Sequence, residues 1–515
     1  MKRQLYIMTL ACFALFAFSS CDEYLDVEPN KSTSVVPSTV DELDYLLNGY
    51  ESGTSFAIEY NYAAFAASDS FGLYPELEAA VANAHAYNSV LFAVWDAETI
   101  ADSVDDLFFS GEYKKIFTAN MVLYYLDSVS GSEELKEQLR LEAKFIRAYS
   151  LWQLTQVYCL HYDNDNKDTM GSELGVTIKT STSFEDLQAR STLDETYAQI
   201  EADLIEALAI DYDMPVVNDM NRCWRASKAA VNGFAARFYL GLADYDKALT
   251  YAKAALESHS DLVDYNTEMY YTSAYSDSYY TKIIDGVEYF LLYPYTFDGP
   301  TTDRLGWKET LYYRFVSDRS WWYLPSEELL AAYDQENDLR FTYHFIEDNS
   351  IARTSAVAGY YGYIAMYYYI ISGPTTAEML LIKAEAEARN GSVDTAMATV
   401  NELRAARMLS TASDSEKYLS ASSATEAVNK IIEERWREMP FTLRWFDCRR
   451  LNHNADSSDD IGTITRSFQT YTSSAVISSS EPVTYTLEPG SRYYAFPMSQ
   501  EEINSSVGVI QQNIY

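Results

Sequence analysis

The stretch from Ala377 to Arg407, AEMLLIKAEAEARNGSVDTAMATVNELRAAR, has the clearest structural pattern in the chain. In both of its halves apolar residues recur at the three- and four-residue spacing of an amphipathic helix. Between the halves, Gly391 suits the left-handed position that ends a helix, and Ser392 can cap the next one. Asp394 then lies in a first turn, where the helix dipole favours a carboxylate. The stretch therefore predicts two helices folded back on each other, and its small alanines predict close packing.

A second copy of this pattern lies upstream in YDKALTYAKAALE (245–257). Asp246 and Ala248 stand there in the order and spacing of Asp394 and Ala396. The two copies are much further apart than the repeats of a tandem tetratricopeptide array, so insertions must separate the helix pairs. The sequence predicts a mostly α fold, an irregular right-handed helical scaffold of dispersed tetratricopeptide-like helix pairs.

Several stretches resemble the SusD/RagB family, the outer-membrane nutrient-binding lipoproteins that partner a TonB-dependent transporter. The hairpin resembles the AEA…G…A…N-x-x-R pattern of that family. The other matching stretches are Cys21 to Asp26 at the start of the mature chain, Y-x-x-I-x-x-x-N at 113–120, EA-x-F-x-RA at 142–148, S-K-x-A…A-R-x-Y-L at 227–240, PSEEL at 325–329, D-x-R at 338–340, ER-x-R-E…R-x-x-D-x-R-R at 434–450, and Pro497, Glu502, Gln512, Asn513 and Tyr515 near the C-terminus. The resemblance implies a non-catalytic, surface-exposed protein. It would capture an oligosaccharide or polysaccharide and deliver it to a SusC-like transporter.

The N-terminus is typical of an exported protein. Lys2 and Arg3 precede an apolar run that is shorter than the roughly 20 residues of a membrane-spanning helix, as in a cleaved signal peptide. The run ends at Ser19-Ser20-Cys21, which resembles a bacterial lipobox with Cys21 as the acylated residue. The sequence predicts a lipoprotein signal peptide over 1–20 and a single domain over 21–515, anchored to the outer membrane and facing the cell exterior. An ordinary signal peptide cleaved nearby is the alternative.

The composition limits the classes of partner. A net charge of −38 argues against nucleic acid and against an anionic membrane surface, because both would repel the chain. Beyond the signal and the lipidated residue, Cys159, Cys223 and Cys448 remain, an odd number without CxxC spacing, so neither a disulfide framework nor a zinc site is indicated. The chain has 45 Tyr and 8 Trp. A tyrosine ring presents an apolar face and a polar tip, which suits stacking on a sugar and bonding its hydroxyl groups.

The aromatic residues crowd into an insertion at about 259–373, between scaffold segments at about 100–258 and 374–450. Insertions in repeat-like architectures map to one face, often the binding face. We therefore predict a ligand-binding aromatic platform in the insertion, with core packing as the alternative for each of its residues. Its predicted members are Trp307, Trp321, Trp322, Tyr295, Tyr360 and Tyr361.

No catalytic motif accompanies these features. The 5 His residues have neither HExxH nor H-x-H spacing, and GxSxG, P-loop and post-strand GxGxxG sequences are missing, so no metal and no cofactor are predicted. The loop 163–173 fails the calcium-binding EF-hand pattern because Asp168 stands where Gly is needed, and it is interpreted as a solvated acidic loop. The alternating charges of 433–450 predict a structural ion-pair network rather than an acid/base site.

Three other functions stay open. The same architecture could capture a peptide or another nutrient. A lipid-anchored glycan hydrolase needs only two suitably spaced carboxylates, which any of the 76 acidic residues could supply. A pure scaffold protein is the third, because helix repeats commonly bind other proteins.

Overall fold

The structure is a computed structural model, and it describes most of the chain. The predicted residues Cys21, Tyr295, Trp321 and Trp322 lie outside the described residues. Within the described part, no helix is both long enough and apolar enough to cross a membrane. The described residues are 36–49, 56–81, 84–183, 186–217, 220–269, 281–284, 287–290, 307–316, 323–347, 359–363, 365, 370–473, 476–477 and 481–515.

The fold is mostly helical, as predicted. The helices are α1 (Val40–Leu46), α2 (Tyr62–Ala66), α3 (Pro75–Ala80), α4 (Tyr87–Ala93), α5 (Ala97–Ser103), α6 (Leu107–Tyr125), α7 (Glu133–Tyr158), α8 (Lys167–Met170), α9 (Leu193–Ala207), α10 (Lys228–Gly241), α11 (Tyr245–Ser258), α12 (Glu327–Ala331), α13 (Leu339–His344), α14 (Thr376–Arg389), α15 (Val393–Arg407), α16 (Asp414–Lys417), α17 (Ala424–Glu438), α18 (Arg444–Leu451) and α19 (Gln500–Ser505).

The predicted hairpin is formed by α14 and α15, and Gly391 between them has a φ of +80°. One detail of the prediction is wrong, because the Ser392 side chain accepts no hydrogen bond from α15. Asp244 precedes α11 with a similar backbone conformation, and its carboxylate accepts from the Lys247 N–H at 3.1 Å. The hydroxyl of Ser392 is one bond shorter than a carboxylate and does not reach.

Helices that are near one another along the chain pack in pairs. The pairs are α6 with α7, α7 with α9, α10 with α11, and α14 with α15. Helix α11 also packs against α14, so the upstream copy of the sequence pattern contacts the helical hairpin. The packed face of α11 consists of Ala248, Ala252 and Ala255, which are all fully buried. Alanine at these positions lets the helices approach closely, as the sequence predicts.

The strands are short and connect distant parts of the chain. The one three-stranded sheet among the described residues pairs β1 parallel with β6, and β6 antiparallel with β9. The other described strands form two-stranded antiparallel pairs: β2 with β3, β4 with β5, β7 with β8, β10 with β13, and β11 with β12. The strands are β1 (Ile58–Glu59), β2 (Val216–Val217), β3 (Met220–Asn221), β4 (Thr281–Ile284), β5 (Val287–Phe290), β6 (Phe315–Val316), β7 (Phe345–Glu347), β8 (Tyr361–Tyr363), β9 (Ile370–Ile371), β10 (Ile464–Phe468), β11 (Tyr471–Ser473), β12 (Val476–Ile477) and β13 (Val483–Leu487).

Much of the aromatic content lies in the core. Tyr149 and Trp152 of α7 pack on Phe234 of α10, with ring centroids 4.9 and 5.7 Å away. Tyr312 of the insertion reaches the same cluster, 5.4 Å from Tyr149. Other buried tyrosines of the insertion are Tyr265, Tyr313, Tyr323, Tyr333 and Tyr363. Core packing therefore accounts for these aromatic residues among those of the insertion that the structure describes.

Buried ion pairs join the insertion to the helical hairpin. Arg407 of α15 lies between the carboxylates of Glu309 and Glu438, each 2.8 Å from its guanidinium. Arg340 of α13 binds Glu434 at 2.7 Å and Glu438 at 2.9 Å. These contacts fix the insertion on the scaffold and so position the candidate site.

Candidate functional site

The predicted aromatic platform is described for three of its six residues, Trp307, Tyr360 and Tyr361. All three are half-buried, so each keeps part of its ring at the surface. They do not form one continuous face within the described part, because they pack in different clusters.

Trp307 packs on a small cluster at the edge of the scaffold. Its ring meets that of Tyr265 edge-on, with centroids 6.3 Å apart. Tyr265 is held by two neighbours: Arg407 lies 4.3 Å over its ring, and its hydroxyl is 2.9 Å from Nε2 of His344. The rest of the cluster is Val263, Met269, Leu339, Tyr343 and Leu409. The Trp307 indole is therefore supported by a rigid, ion-paired base.

Tyr360 lies where the insertion contacts the N-terminal part of the chain, and Tyr361 packs on a residue of the insertion itself. The Tyr360 ring meets Tyr74 edge-on at 5.1 Å, and Tyr361 packs on Phe341 at 5.5 Å. Successive side chains of an extended chain point to opposite faces, so the two tyrosines lie on different surfaces of the protein. Tyr360 and Tyr74 form what we call the Tyr74–Tyr360 surface.

The position of Tyr74 is fixed by its loop. Its hydroxyl donates to the Pro325 carbonyl at 2.5 Å, and its backbone N–H donates to Nε2 of His85 at 3.1 Å. Because Nε2 accepts, the proton of a neutral His85 is on Nδ1, which lies 3.1 Å from the Glu78 carboxylate. Gly72 lets this loop approach Pro325 closely, since a Cβ on residue 72 would lie 2.6 Å from the Pro325 carbonyl oxygen. No sequence pattern indicated a function for Tyr74, because its partners are brought together only by the fold.

The Tyr74–Tyr360 surface has an acidic border. Burial, and then the nearby carboxylates of Glu327 and Glu328, raise the pKa of Tyr74. Its hydroxyl therefore stays protonated and keeps its bond to Pro325. Glu327 and Glu328 are exposed, and carboxylates at such a position can accept hydrogen bonds from sugar hydroxyl groups. In the chain, this region directly follows Trp321 and Trp322.

A cleft of about 280 Å³ lies elsewhere, between α6, residues of 177–183 and 187–188, and the C-terminal helix α19. Phe109, Tyr113 and Phe117 follow one another at four-residue spacing on the wall formed by α6. Sequence reasoning missed this cleft, although the spacing of these three rings was a signal for an aromatic helix face. The remaining lining residues are Ser110, Asn120, Thr177, Lys179, Ser181, Ser183, Leu187, Gln188, Glu502, Ser505, Ser506 and Ile510.

The charged residues at 433–450 form a structural network, as predicted. Burial alone would raise the pKa of Glu434, but Arg340, Arg437 and Arg404 outweigh it and hold this pKa well below its ordinary value. Burial would likewise raise the pKa of Glu385, but Arg450 and Arg389 lower it to about 2. Carboxylates held ionised in this way are poor proton donors and poor bases, so the cluster is structural rather than catalytic.

The loop 163–173 differs in one respect from the solvated loop that was expected. Asp163 is buried, and its carboxylate accepts from the backbone N–H groups of Asp165 and Asn166 at 2.9 Å and lies 2.9 Å from Nε2 of His161. An aspartate that bonds the backbone two and three residues ahead closes a tight turn, and this turn draws it inward. Among the residues that the structure describes, no group of three or more His, Cys, Asp or Glu is placed to hold a metal ion.

Two family models match the chain. One, described as starch-binding and associating with the outer membrane, matches residues 23–240, and the model of the SusD family matches residues 376–515. The two matches do not overlap and together cover more than half of the chain. The chain belongs to the SusD/RagB family.

Solved structures of SusD-like proteins share this fold. A SusD superfamily protein from Bacteroides thetaiotaomicron is 17% identical with a TM-score of 0.61, and the alignment covers 93% of this chain and 100% of the other. Surface glycan-binding protein A from Bacteroides uniformis is 15% identical with a TM-score of 0.60, covering 92% and 99%. A laminarin-binding SusD-like protein is 16% identical with a TM-score of 0.57, covering 92% and 99%. Among curated protein sequences, none matches this chain.

Proposed function

We propose that the chain is a non-catalytic, lipid-anchored protein of the outer cell surface that captures an oligosaccharide or polysaccharide. Membership of the SusD/RagB family is the observation that carries this proposal. The half-exposed aromatics at the border of the insertion support it, because ring faces that are fixed in place can stack on sugars at little entropic cost.

The ligand site that we propose is the predicted aromatic platform. It comprises Trp307, Trp321, Trp322, Tyr295, Tyr360 and Tyr361, joined by Tyr74. Aromatic rings would stack on the apolar faces of sugar rings, and the carboxylates of Glu327 and Glu328 would accept bonds from hydroxyl groups. Such a site has modest affinity for each sugar unit, and several contacts along a polymer add retention through avidity.

The captured glycan would pass to a partner SusC-like TonB-dependent transporter in the outer membrane. The lipid on Cys21 would keep the protein at the membrane while its folded part faces the cell exterior. We expect a tagged chain to co-purify with a TonB-dependent barrel from native membranes. Recovery without any barrel protein, under mild detergent that keeps other membrane complexes intact, would count against this partnership.

Affinity electrophoresis through gels that contain starch, laminarin or other neutral polysaccharides tests the site. Variants Trp307→Ala, Trp321→Ala, Trp322→Ala and Tyr360→Ala are compared with wild type, and retention of the fold is checked by thermal unfolding. The matched control is Tyr45→Ala on α1, because Tyr45 is 79% exposed and lies outside the insertion. We expect at least one platform variant to lose about tenfold or more in affinity, and the control to lose none.

Two outcomes would overturn the placement of the site. If the platform variants all lose stability while binding survives in the folded fraction, these residues belong to the core. If a stable Tyr360→Ala variant and the three tryptophan variants all bind as wild type does, the glycan is held elsewhere.

A further inference from the structure

The cleft next to α6 has a preformed aromatic wall. Phe109 and Tyr113 have ring centroids 4.5 Å apart. The Tyr113 hydroxyl donates to the Thr177 carbonyl at 2.8 Å, and the Phe109 ring meets Tyr158 edge-on at 5.6 Å. Both rings are therefore held in place without a ligand. The cleft shares no residue with the proposed aromatic platform.

Glu502 gives this cleft a negative charge that has no cationic partner among the described residues. It is half-buried at the lining, and among the described residues its carboxylate accepts no hydrogen bond and forms no ion pair. A half-buried carboxylate without a donor is costly, so partners are normally found beside it. A ligand that supplies a cationic donor would remove this cost.

The neighbours of Glu502 add negative charge. Burial raises its pKa, and the nearby carboxylates of Asp106 and Glu501 raise it further. Asp106 is already satisfied, since it accepts from the Tyr158 hydroxyl at 2.5 Å and from the Phe109 N–H at 3.0 Å. Burial also raises the pKa of Asp106 to about 6. Glu502 is thus the acceptor that stays open to the cleft.

Lys179 is the one cation that lines the described cleft, and it is engaged elsewhere. Its ammonium group donates to the backbone carbonyl of Asp186 and forms no ion pair with Glu502. The net charge of −38 adds a long-range attraction for cations. The local and the global charge therefore favour the same kind of ligand.

We propose that this cleft is a second binding site, specific for a sugar that carries a protonated amino group. The ammonium group donates to Glu502, and the sugar ring lies against Phe109 and Tyr113. Aromatic faces and a carboxylate together are a common way to hold an organic cation. The volume of about 280 Å³ is at the lower end for small-molecule sites, so a single sugar ring or a short oligomer fits.

The choice of a sugar rests on the proposed glycan-binding function, whereas the choice of a cation rests on Glu502, the aromatic wall and the net charge. The test uses two probes that differ only at the sugar nitrogen, which is a cationic ammonium in one and an uncharged acetamide in the other: fully deacetylated glucosamine oligomers and N-acetylglucosamine oligomers of the same length. Binding is measured by titration calorimetry and by saturation-transfer NMR at low salt. We expect the deacetylated oligomer to bind about tenfold or more tightly than the acetylated one, and salt to weaken it.

Three variants separate the contribution of the Glu502 charge to binding from that of the shape of the cleft. Glu502→Gln should lose about tenfold or more in affinity for the deacetylated oligomer, while Glu501→Gln, an exposed neighbour outside the cleft lining, should change it little. Ser505→Trp should block the cleft without changing its charge, because Ser505 is exposed and lines it. Affinity should rise with pH as Glu502 ionises, over a range above that of an ordinary glutamate because burial raises its pKa, and Glu502→Gln should lose most of that rise.

Equal binding of both oligomers, no binding of either, or full affinity in a folded Glu502→Gln variant would overturn this proposal. If neutral polysaccharides still bind the platform in that case, the proposed glycan-binding function stands. Loss of all glycan binding would count against both.

Discussion

Glu434 is a single buried carboxylate shared by three guanidinium groups. Arg340 and Arg404 lie 2.7 and 2.6 Å from its oxygens, and Arg437 lies 2.8 Å away. Removing the carboxylate leaves three buried cations close together, and loss of one partner from a buried pair typically costs about 3–5 kcal/mol. We expect Glu434→Gln to lower the free energy of unfolding by about this amount in urea titrations.

The matched control for this prediction is Glu433→Gln at the adjacent position. Among the residues that the structure describes, Glu433 pairs with Arg437 alone, at 2.7 Å, and its side chain is 52% exposed. An exposed pair of this kind contributes less than about 1 kcal/mol. If both substitutions cost the same, the network does not stabilise the fold in the way we describe.

Glu385 gives the protein a pH-dependent stability. Its pKa in the folded chain is about 2, compared with an ordinary value of 4.5. A carboxyl whose folded pKa is depressed stabilises the fold above its unfolded pKa, and loses that contribution as the pH falls through the folded value. We expect the stabilisation to decline between about pH 4.5 and pH 2, by on the order of 3 kcal/mol. Urea titrations of Glu385→Gln should show a shallower decline over this range, and an equally steep one would contradict the assignment.

For individual charged residues, the sequence predicted that they form ion pairs but not which residues they pair with. The alternating charges of 433–450 correctly indicated ion pairs. Their partner Arg340 lies in the insertion, and their partners Glu378 and Glu385 lie in α14. No local pattern connects positions so far apart, because only the packing of the helices brings them together.

The turn of the helical hairpin can be tested at the scale of the element. Gly391 has a φ of +80° with nothing within 4 Å of the Cβ position, so Gly391→Ala would be strained by its backbone alone. We expect a loss of about 1 kcal/mol in thermal unfolding. Gly111 in the interior of α6 also has open space around its Cβ position, and it is helical. Gly111→Ala should instead stabilise by about 0.5–1 kcal/mol, and two changes of the same sign would contradict this account of the turn.

Elements with a strong local pattern were predicted well. The spacing of apolar residues correctly predicted α14, α15 and α11, and their contact confirmed the close packing of alanine faces. The β1–β6 pairing was not predictable, because each strand has two residues and the pair joins Ile58 to Phe315. Tyr74 was missed for the same reason, since its contacts with Pro325 and Tyr360 depend on the fold.

At the scale of the whole molecule, the anchor on Cys21 stays a prediction. In a host that processes lipoproteins, we expect the wild-type chain to enter the detergent phase of a Triton X-114 partition and to incorporate labelled fatty acid. Cys21→Ala should stay in the aqueous phase without label, because a covalent acyl chain supplies the membrane affinity. Ser20→Ala serves as the control, since a small residue before the cysteine is retained. Equal partition of the wild type and Cys21→Ala would contradict the lipid anchor.

The whole-molecule interpretation depended on motifs spread over the chain rather than on any one of them. The helix at 113–120, the hairpin and the charged helices at 433–450 each agree with the SusD/RagB family, and the family matches confirm the assignment. The ligand could not be predicted in the same way. Aromatic residues such as Tyr312 and Tyr323 are buried while Tyr360 is half-exposed, and composition alone does not separate these roles.

The measurement that tests the central proposal most directly is a glycan array probed with the soluble chain that starts at Asp22. Every glycan that binds is then incubated with the protein and examined by mass spectrometry for products. We predict binding to at least one class of oligosaccharide or polysaccharide, and no cleavage. No binding to any glycan would contradict glycan capture and point to a peptide or another nutrient, whereas binding with cleavage would contradict the non-catalytic role and indicate a hydrolase.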